Sequence, residues 1–411
     1  MNGTRRTIRL SAVLGVVAAL LAACSSSSTP APASVAPASA AAPASAAAPA
    51  SVAPASVAPS AAAASPAASA AGSQWTTSNP FKAAFIYVGA ASDAGWTHAH
   101  DVGRLAMEAS FGGRVQTLFK ENVPEGPQTA QVITQLVNQG ANIIFATSFG
   151  YQDAMVAAAK QYPNVLFEQA TGTEMSTNLS EYYGAGEDGD YLSGMAAGAA
   201  SKTGKIGFVA PFAIPEVIRE IDAFTMGAQA TNPNATVKVV WTNTWFAPAT
   251  ERSAAESLVA AGVDVLGDGQ DSPTTGQVAA AAGLKWTGYD SDQTSFAPDA
   301  WLTATTYNWG PYYTQEVQAA MDGTWKSHFY YGGFNDNFIV MAPFGKSVDA
   351  ATQAAITAKE DAIKAGTFDP FTGPITKQDG TVGVPAGTTL TVNDKYALSW
   401  FVKGVIGSPK G

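Results

Sequence analysis

The chain of 411 residues holds one cysteine, Cys24, so an intramolecular disulfide cannot form and a zinc–thiolate cluster is excluded. Histidine is nearly as scarce. His98 and His100 stand two apart on a predicted helix, where their rings point away from each other, and only His328 remains, which argues against a metal centre. Charged residues make up 13% of the chain, and 22 Lys and Arg face 32 Asp and Glu, a formal net charge of −10. That balance disfavours nucleic acid or an anionic lipid surface as the main partner. The glycine-containing segment Gly89–Gly95 lacks the Gly-Lys-Ser/Thr ending of a phosphate loop, and its Asp93 would repel a phosphate. No Gly-x-Ser-x-Gly nucleophile elbow occurs, and no cofactor is implied.

What the chain does have is divided unevenly. Hydrophobic residues make up 46% of it, enough for one large or two smaller cores. Yet residues 25–79 are almost entirely Ala, Ser, Pro, Val and Thr, while every Tyr and all Trp but Trp75 lie beyond them. Ahead of that stretch, Arg5, Arg6 and Arg9 precede an apolar run, Leu10–Leu21, too short to span a bilayer as a stable helix. This reads as a secretory leader over residues 1–23, with the export route left open between the general and the twin-arginine pathways. Its end, Leu21-Ala22-Ala23-Cys24, resembles a bacterial lipobox, which makes Cys24 the expected lipidation site and membrane anchor. The following segment, 24–79, repeats Ala-Pro-Ala-Ser five times and offers no large side chain before Trp75 to offset its ordering entropy, so it is expected to be a solvated tether.

From Phe81 onward, short β-rich apolar runs alternate with Ala-rich helical stretches, the pattern of a parallel sheet with crossover helices. A first series places strands at 82–88, 114–120, 142–147 and 165–169, with helices near 96–110, 127–139 and 152–161. A second places strands at 205–210, 236–242, 263–267, 285–289 and 301–306, with helices near 215–230, 249–261 and 275–283. The expected fold class is therefore α/β, with two doubly wound Rossmann-like lobes joined by a hinge. The boundaries expected are 80–187 with 307–332 for the first lobe and 188–306 with 333–411 for the second.

In open α/β sheets ligands bind beyond the carboxyl ends of the strands. The loops there carry aromatic, acidic and amide side chains from both units: Asp93 and Trp96, Phe149, Phe212, Trp245, Asp271, Asp290, Asn308 and Trp309. Flat apolar faces beside carboxylates suit a small ring-shaped ligand with N–H or O–H donors, held by stacking and hydrogen bonds.

In these loops the sequence resembles the basic membrane protein family of solute-binding lipoproteins that serve ABC importers and have the type I periplasmic-binding fold. The resemblance rests on Tyr87-Val88-Gly89 leading to Asp93-Ala94-Gly95-Trp96-Thr97, on Glu121–Gly126, Thr147–Gly150 and Ile214–Arg219, and on Asn243-Thr244-Trp245, Gly288–Asp292 and Asn308–Tyr313. It implies a purine ligand, an ABC permease as partner, a monomer and no enzymatic activity. It also implies that Asp93 and Trp96 hold the purine, with Phe149 at the cleft, Phe212 or Ile214 on the opposite wall and Asp290 on the far edge of the ligand. Nucleoside-binding members place a Lys after the strand that follows the Asp290 motif. Here no Lys or Arg occurs between Lys285 and Lys326, and Trp309 is expected to fill the sugar space, which favours a free nucleobase such as adenine over a nucleoside or sugar.

Each residue also has a plainer role open to it. Asp93 caps the following helix or meets the ligand, and both stand. Trp96 is core or ligand face, its loop position favouring the ligand; Trp245 and Trp309 stay balanced between cleft wall and packing, and Phe149 and Phe212 lean toward burial. Asp290 is assigned to the ligand, Asp292 to a turn and Glu216, after Pro215, to the first-turn dipole of its helix. Two other classes are weighed: a secreted nucleoside or glycoside hydrolase, for which Asp290 and Asp292 are too close to flank a bond, and a ligand sensor for a membrane receptor.

Overall fold

The computed structural model describes residues 74–411; the leader, Cys24 and the tether as far as residue 73 lie outside the described residues. Within residues 74–79, Thr76 and Asn79 exchange two backbone hydrogen bonds of 3.1 Å, and Trp75 packs edge-on against Phe81 with ring centroids 5.1 Å apart.

The chain runs β1 (Phe81–Ile86), α1 (Trp96–Ser110), β2 (Val115–Lys120), α2 (Pro127–Asn138), β3 (Ile143–Ala146), α3 (Gln152–Gln161), β4 (Leu166–Ala170) and β5 (Leu179–Gly184). It continues through α4 (Gly186–Ala200), β6 (Lys205–Ala210), α5 (Pro215–Thr231), β7 (Thr236–Trp241), α6 (Pro248–Ala260), β8 (Val265–Asp268), α7 (Thr274–Ala281), β9 (Lys285–Asp290) and β10 (Trp301–Tyr307). Then follow α8 (Trp309–Asp322), β11 (Phe329–Gly332), β12 (Ile339–Met341), α9 (Ala350–Lys364), β13 (Ile375–Thr376), β14 (Val382–Val384), α10 (Val392–Tyr396) and β15 (Val405–Ile406).

Two large sheets result, beside a two-stranded antiparallel pair of β13 and β14, and both large sheets are doubly wound, as the alternating pattern leads one to expect. The first has the order β11-β5-β4-β3-β1-β2 and the second β12-β10-β9-β8-β6-β7-β15, so each is built on the same parallel arrangement of five strands. The antiparallel β12 and the parallel β15 extend the second at its two edges. Central strands such as β3, Ile-Ile-Phe-Ala, are buried throughout because helices cover both faces. Satellite cores pack Ile133 and Met155 under the first sheet and Leu258 and Trp286 under the second. The largest core is continuous through both lobes, from Phe85 and Tyr313 to Leu192, Ile221 and Phe401. Each such fully buried apolar side chain contributes about 1.5–3 kcal/mol. Three helices, α2, α5 and α6, begin with proline at the first turn, where the missing N–H costs nothing.

The chain passes between the sheets three times: from β5 into α4, which packs on α5 and β10; from β10 into α8, which packs on α1; and from β11 into β12. The lobes are closed on one another. Ser291 Oγ donates to the Ala94 carbonyl, Gln293 Nε2 donates to the same oxygen at 2.9 Å, and the α-carbon of Gly95 faces the Asp271 backbone so closely that a Cβ there would lie 2.6 Å from it.

Candidate functional site

Each sheet reverses its strand order between its first and third strands, β1 and β3 in one, β6 and β8 in the other, and the crevices at these points face each other. Between them lies a narrow, nearly closed slot. Val88, Trp96, Ser148, Phe149 and Thr171 line it from the first lobe, and Glu216, Trp245, Asp271 and Tyr289 from the second.

On the first-lobe side, Asp93 is buried and turned toward helix α1. Its carboxylate accepts the amides of Gly95 (3.0 Å), Thr97 (3.1 Å) and His98 (2.9 Å), groups that the start of a helix otherwise leaves unpaired. Burial raises its pKa, and those amide bonds oppose the rise. The capped turn presents Trp96, whose Nε1 donates to the Thr147 carbonyl at 2.6 Å and so ties α1 to the loop after β3. Behind Trp96 stands an aromatic wall: Trp309 meets it edge-on at 5.3 Å and is itself sandwiched between His100 (4.0 Å) and Tyr307 (4.9 Å). The Ser148–Gly150 loop is held from below by Glu125, whose Oε1 accepts Ser148 Oγ at 2.6 Å and the Gly150 amide at 3.0 Å. Phe149 is thereby left 41% exposed at the slot, in place of the burial its type favours. Thr171, at φ 63°, completes this wall with a buried hydroxyl that has no partner among the described residues.

The second-lobe side is acidic. Asp271 is 1% exposed, and neither of its carboxyl oxygens has a hydrogen-bond partner among the described residues. Burial pushes this carboxyl well above the ordinary range, and the charges of Asp93, Glu251 and Asp268 push it further. Glu216 is also buried; Tyr183 Oη lies 3.0 Å from both Glu216 and Glu220, and Tyr307 donates to Tyr183 at 2.9 Å. Burial raises the Glu216 carboxyl, with Arg219 pulling the other way. Trp245 meets Phe212 edge-on at 5.1 Å, and its indole N–H is buried without a partner.

Of the residues singled out in the sequence, Trp96, Phe149, Trp245 and Asp271 come together around the slot. The others stand apart from its walls. Asp93 serves the helix amides, and Phe212 lines a second recess of about 450 Å³ that shares Val88, Trp245 and Asp271 with the slot. Asp290, at φ 59°, is buried beside Tyr289 with both oxygens unpartnered. Asn308 donates to the Asn337 carbonyl at 3.1 Å, where the chain crosses between lobes. Trp309 packs behind Trp96 and does not line the slot.

Five slot residues are not among the site residues named from the sequence: Val88, Ser148, Thr171, Glu216 and Tyr289. The sequence gives Glu216 to the helix dipole, but α5 begins at the cleft, and its first turn therefore faces the ligand space. Ser148 and Tyr289 each sit at the end of a predicted strand, a signal that sequence alone offers; Thr171 follows β4 with no such mark.

Stacking faces, two buried carboxylates and a lone indole N–H make a site for a flat, neutral ligand that donates more hydrogen bonds than it accepts. Residues 81–367 match the family described as ABC transporter substrate-binding protein, PnrA-like. A purine-binding protein of Brucella abortus is 41% identical over 324 residues, 79% of this chain and 92% of that protein. A putative ABC transporter glucose-binding protein of Haloferax volcanii is 34% identical over 291 residues, 71% of this chain and 74% of that protein. Among solved structures, a solute-binding protein of an ABC transporter system from Aeropyrum pernix covers 77% of this chain and 96% of its own, with TM-score 0.62 and 15% identity, a likeness of fold.

Proposed function

The chain belongs to the PnrA-like family of ABC transporter substrate-binding proteins, and on that premise we propose that it is a lipid-anchored extracytoplasmic receptor that closes on a purine, a free nucleobase such as adenine, and delivers it to a membrane permease. A member of this family carries a solute and is not an enzyme. The observation that carries the purine reading is the Asp271 carboxylate, buried in an aromatic slot with no partner of its own. A ligand N–H placed there satisfies a buried carboxyl oxygen, and leaving such a buried polar group unpaired costs about 1–3 kcal/mol. Stacking on Trp96 or Trp245 adds about 0.5–1.5 kcal/mol beyond burial.

The absence of any Lys or Arg between Lys285 and Lys326 to hold ribose hydroxyls supports a base over a nucleoside. The Brucella relative named for purine binding supports a purine ligand. The Haloferax relative named for glucose keeps a sugar as the second reading.

Calorimetric titration of the purified protein with adenine, hypoxanthine, adenosine, inosine and glucose separates these readings. Adenine or hypoxanthine is expected to bind at micromolar or lower concentration, about −8 kcal/mol or better, with the nucleosides weaker. Binding of glucose and of no purine would sink the proposal. Lipid anchoring is tested separately by replacing Cys24 with Ala, which is expected to release the exported protein from the membrane fraction.

A further inference from the structure

One side-chain amide touches both walls of the closed cleft. Gln293 is fully buried in the loop after β9. Its Oε1 accepts the Tyr289 amide at 3.2 Å, within its own lobe, and its Nε2 donates across the cleft to the Ala94 carbonyl at 2.9 Å. Tyr289 lines the slot, and Ala94 lies two residues before Trp96, which lines it from the other side. Ala94 adopts φ 74°, a left-handed conformation that residues with a side chain seldom take. The loop is therefore held in an unfavourable form while its carbonyl receives Gln293 and Ser291.

Space for this amide is built into the strand. A Cβ on Gly288 would lie 2.6 Å from Gln293 Oε1 and 2.5 Å from the Trp301 ring. Glutamine is chemically specified here: one end must accept an N–H while the other donates to a carbonyl, and neither an aliphatic side chain nor an ionised carboxylate of that length does both.

We infer that Gln293 is a positioning residue that makes ligand retention depend on lobe closure, by joining the strand end that carries Tyr289 to the loop that carries Trp96. The Gln293–Ala94 bond exists only when the lobes meet, so it stabilises the closed form and is broken on opening. Its loss accelerates release and leaves the encounter with the open form unchanged. Gln293 is not a member of the slot wall, so its effect reaches the ligand through Tyr289 and Ala94.

The test uses Gln293→Glu and Gln293→Met with adenine as probe in stopped-flow binding, or glucose in its place should the wild type bind only that. At pH 5, Gln293→Met is expected to raise the dissociation rate about tenfold, the equivalent of one hydrogen bond, with association within threefold of wild type. Gln293→Glu, held protonated by burial, keeps an O–H donor toward the Ala94 carbonyl and an oxygen for the Tyr289 amide, so it stays closer to the wild-type rate. The acids that face this amide, Asp93, Asp271 and Asp290, are the same in all three proteins, and all are compared at one pH. Dissociation of Gln293→Met within twofold of wild type, or an equal deficit of Gln293→Glu and Gln293→Met, overturns the inference. The inference rests on the substrate-binding reading but fails differently from it: a wrong ligand shows as no binding by wild type, a wrong latch as no difference between wild type and variant. Energy transfer between dyes on the two lobes supplies an arm independent of ligand, in which Gln293→Met lowers the closed fraction of the unliganded protein and an unchanged fraction counts against the latch.

Discussion

Replacing Gly95 by alanine is the sharpest test of closure. The added Cβ would lie 2.6 Å from both the Cα and the carbonyl oxygen of Asp271, and 2.9 Å from its carbonyl carbon. Ordinary contacts between such atoms are about 3.5–4.0 Å, so the deficit is roughly 1 Å. All three neighbours are backbone, and no rotamer change relieves the overlap. The lobes must stand apart at this point, which also lengthens the bonds from Ser291 and Gln293 to Ala94, next to Gly95 in the chain. If closure loses about 3 kcal/mol, the competent fraction falls about a hundredfold, and the apparent Kd for adenine rises by the same factor. The unliganded fold loses nothing comparable, because the open form has no Gly95–Asp271 contact, and its melting midpoint is expected within about 4 °C of wild type. Calorimetric titration and thermal melting of the same preparation supply both numbers. A Gly95→Ala protein that binds adenine within threefold of wild type would refute the closed-cleft reasoning, as would an affinity loss that appears only with collapse of the unliganded fold.

Three further outcomes are expected. Asp271→Asn keeps the shape and removes a buried, unpartnered carboxylate, so the unliganded protein should melt higher while adenine affinity falls at least about tenfold; a gain in affinity would show that Asp271 does not receive the ligand. Lys395→Met strips the cation at 2.9 Å from the fully buried Glu187 and leaves it to Arg219 and Tyr331, which should cost about 3–5 kcal/mol in urea unfolding; a loss below about 1 kcal/mol would contradict that pairing. Glu181, pushed up to about 9 by burial and then by the charge of Glu168, holds a proton in the folded protein that the unfolded chain releases near pH 4.5. Its contribution to stability is thus intact below about pH 4.5 and is lost as pH rises toward about 9, so Glu181→Gln should narrow the difference in melting midpoint between pH 5 and pH 8.5, and an unchanged difference would count against the assignment.

The strands β1–β4 and β6–β10 and their intervening helices are legible because apolar runs and Ala-rich stretches alternate at the right lengths. The β5–α4 segment is not. Helix α4 carries Gly186, Gly189, Gly194 and Gly198, residues that disfavour a helix by propensity. Their role appears only in packing: a Cβ on Gly194 would lie 2.0 Å from the Phe224 carbonyl oxygen, and one on Gly198 2.2 Å from that of Ala228, so the glycines let α4 lie directly on α5. The same limit applies to the site. Aromatic and acidic residues at strand ends are readable as a group, but which of them face the slot depends on side-chain neighbours that sequence spacing does not report. Trp96 and Trp309 show it: each follows a strand, yet one lines the cavity while the other is stacked behind it on His100.

The order in which the strands were threaded has a consequence for how the protein comes into being. The open edge of β5 is covered by β11, Phe329–Gly332, and the open edge of β7 by β15, Val405–Ile406. A polypeptide that emerges amino end first therefore presents β5 uncovered until residue 332 has appeared, and β7 until residue 406. Neither half can finish as an autonomous piece partway through synthesis, and exposed strand edges invite wrong pairing for as long as they persist. Correct assembly waits until residue 406 has appeared, so termination before Val405 should leave β7 without its border.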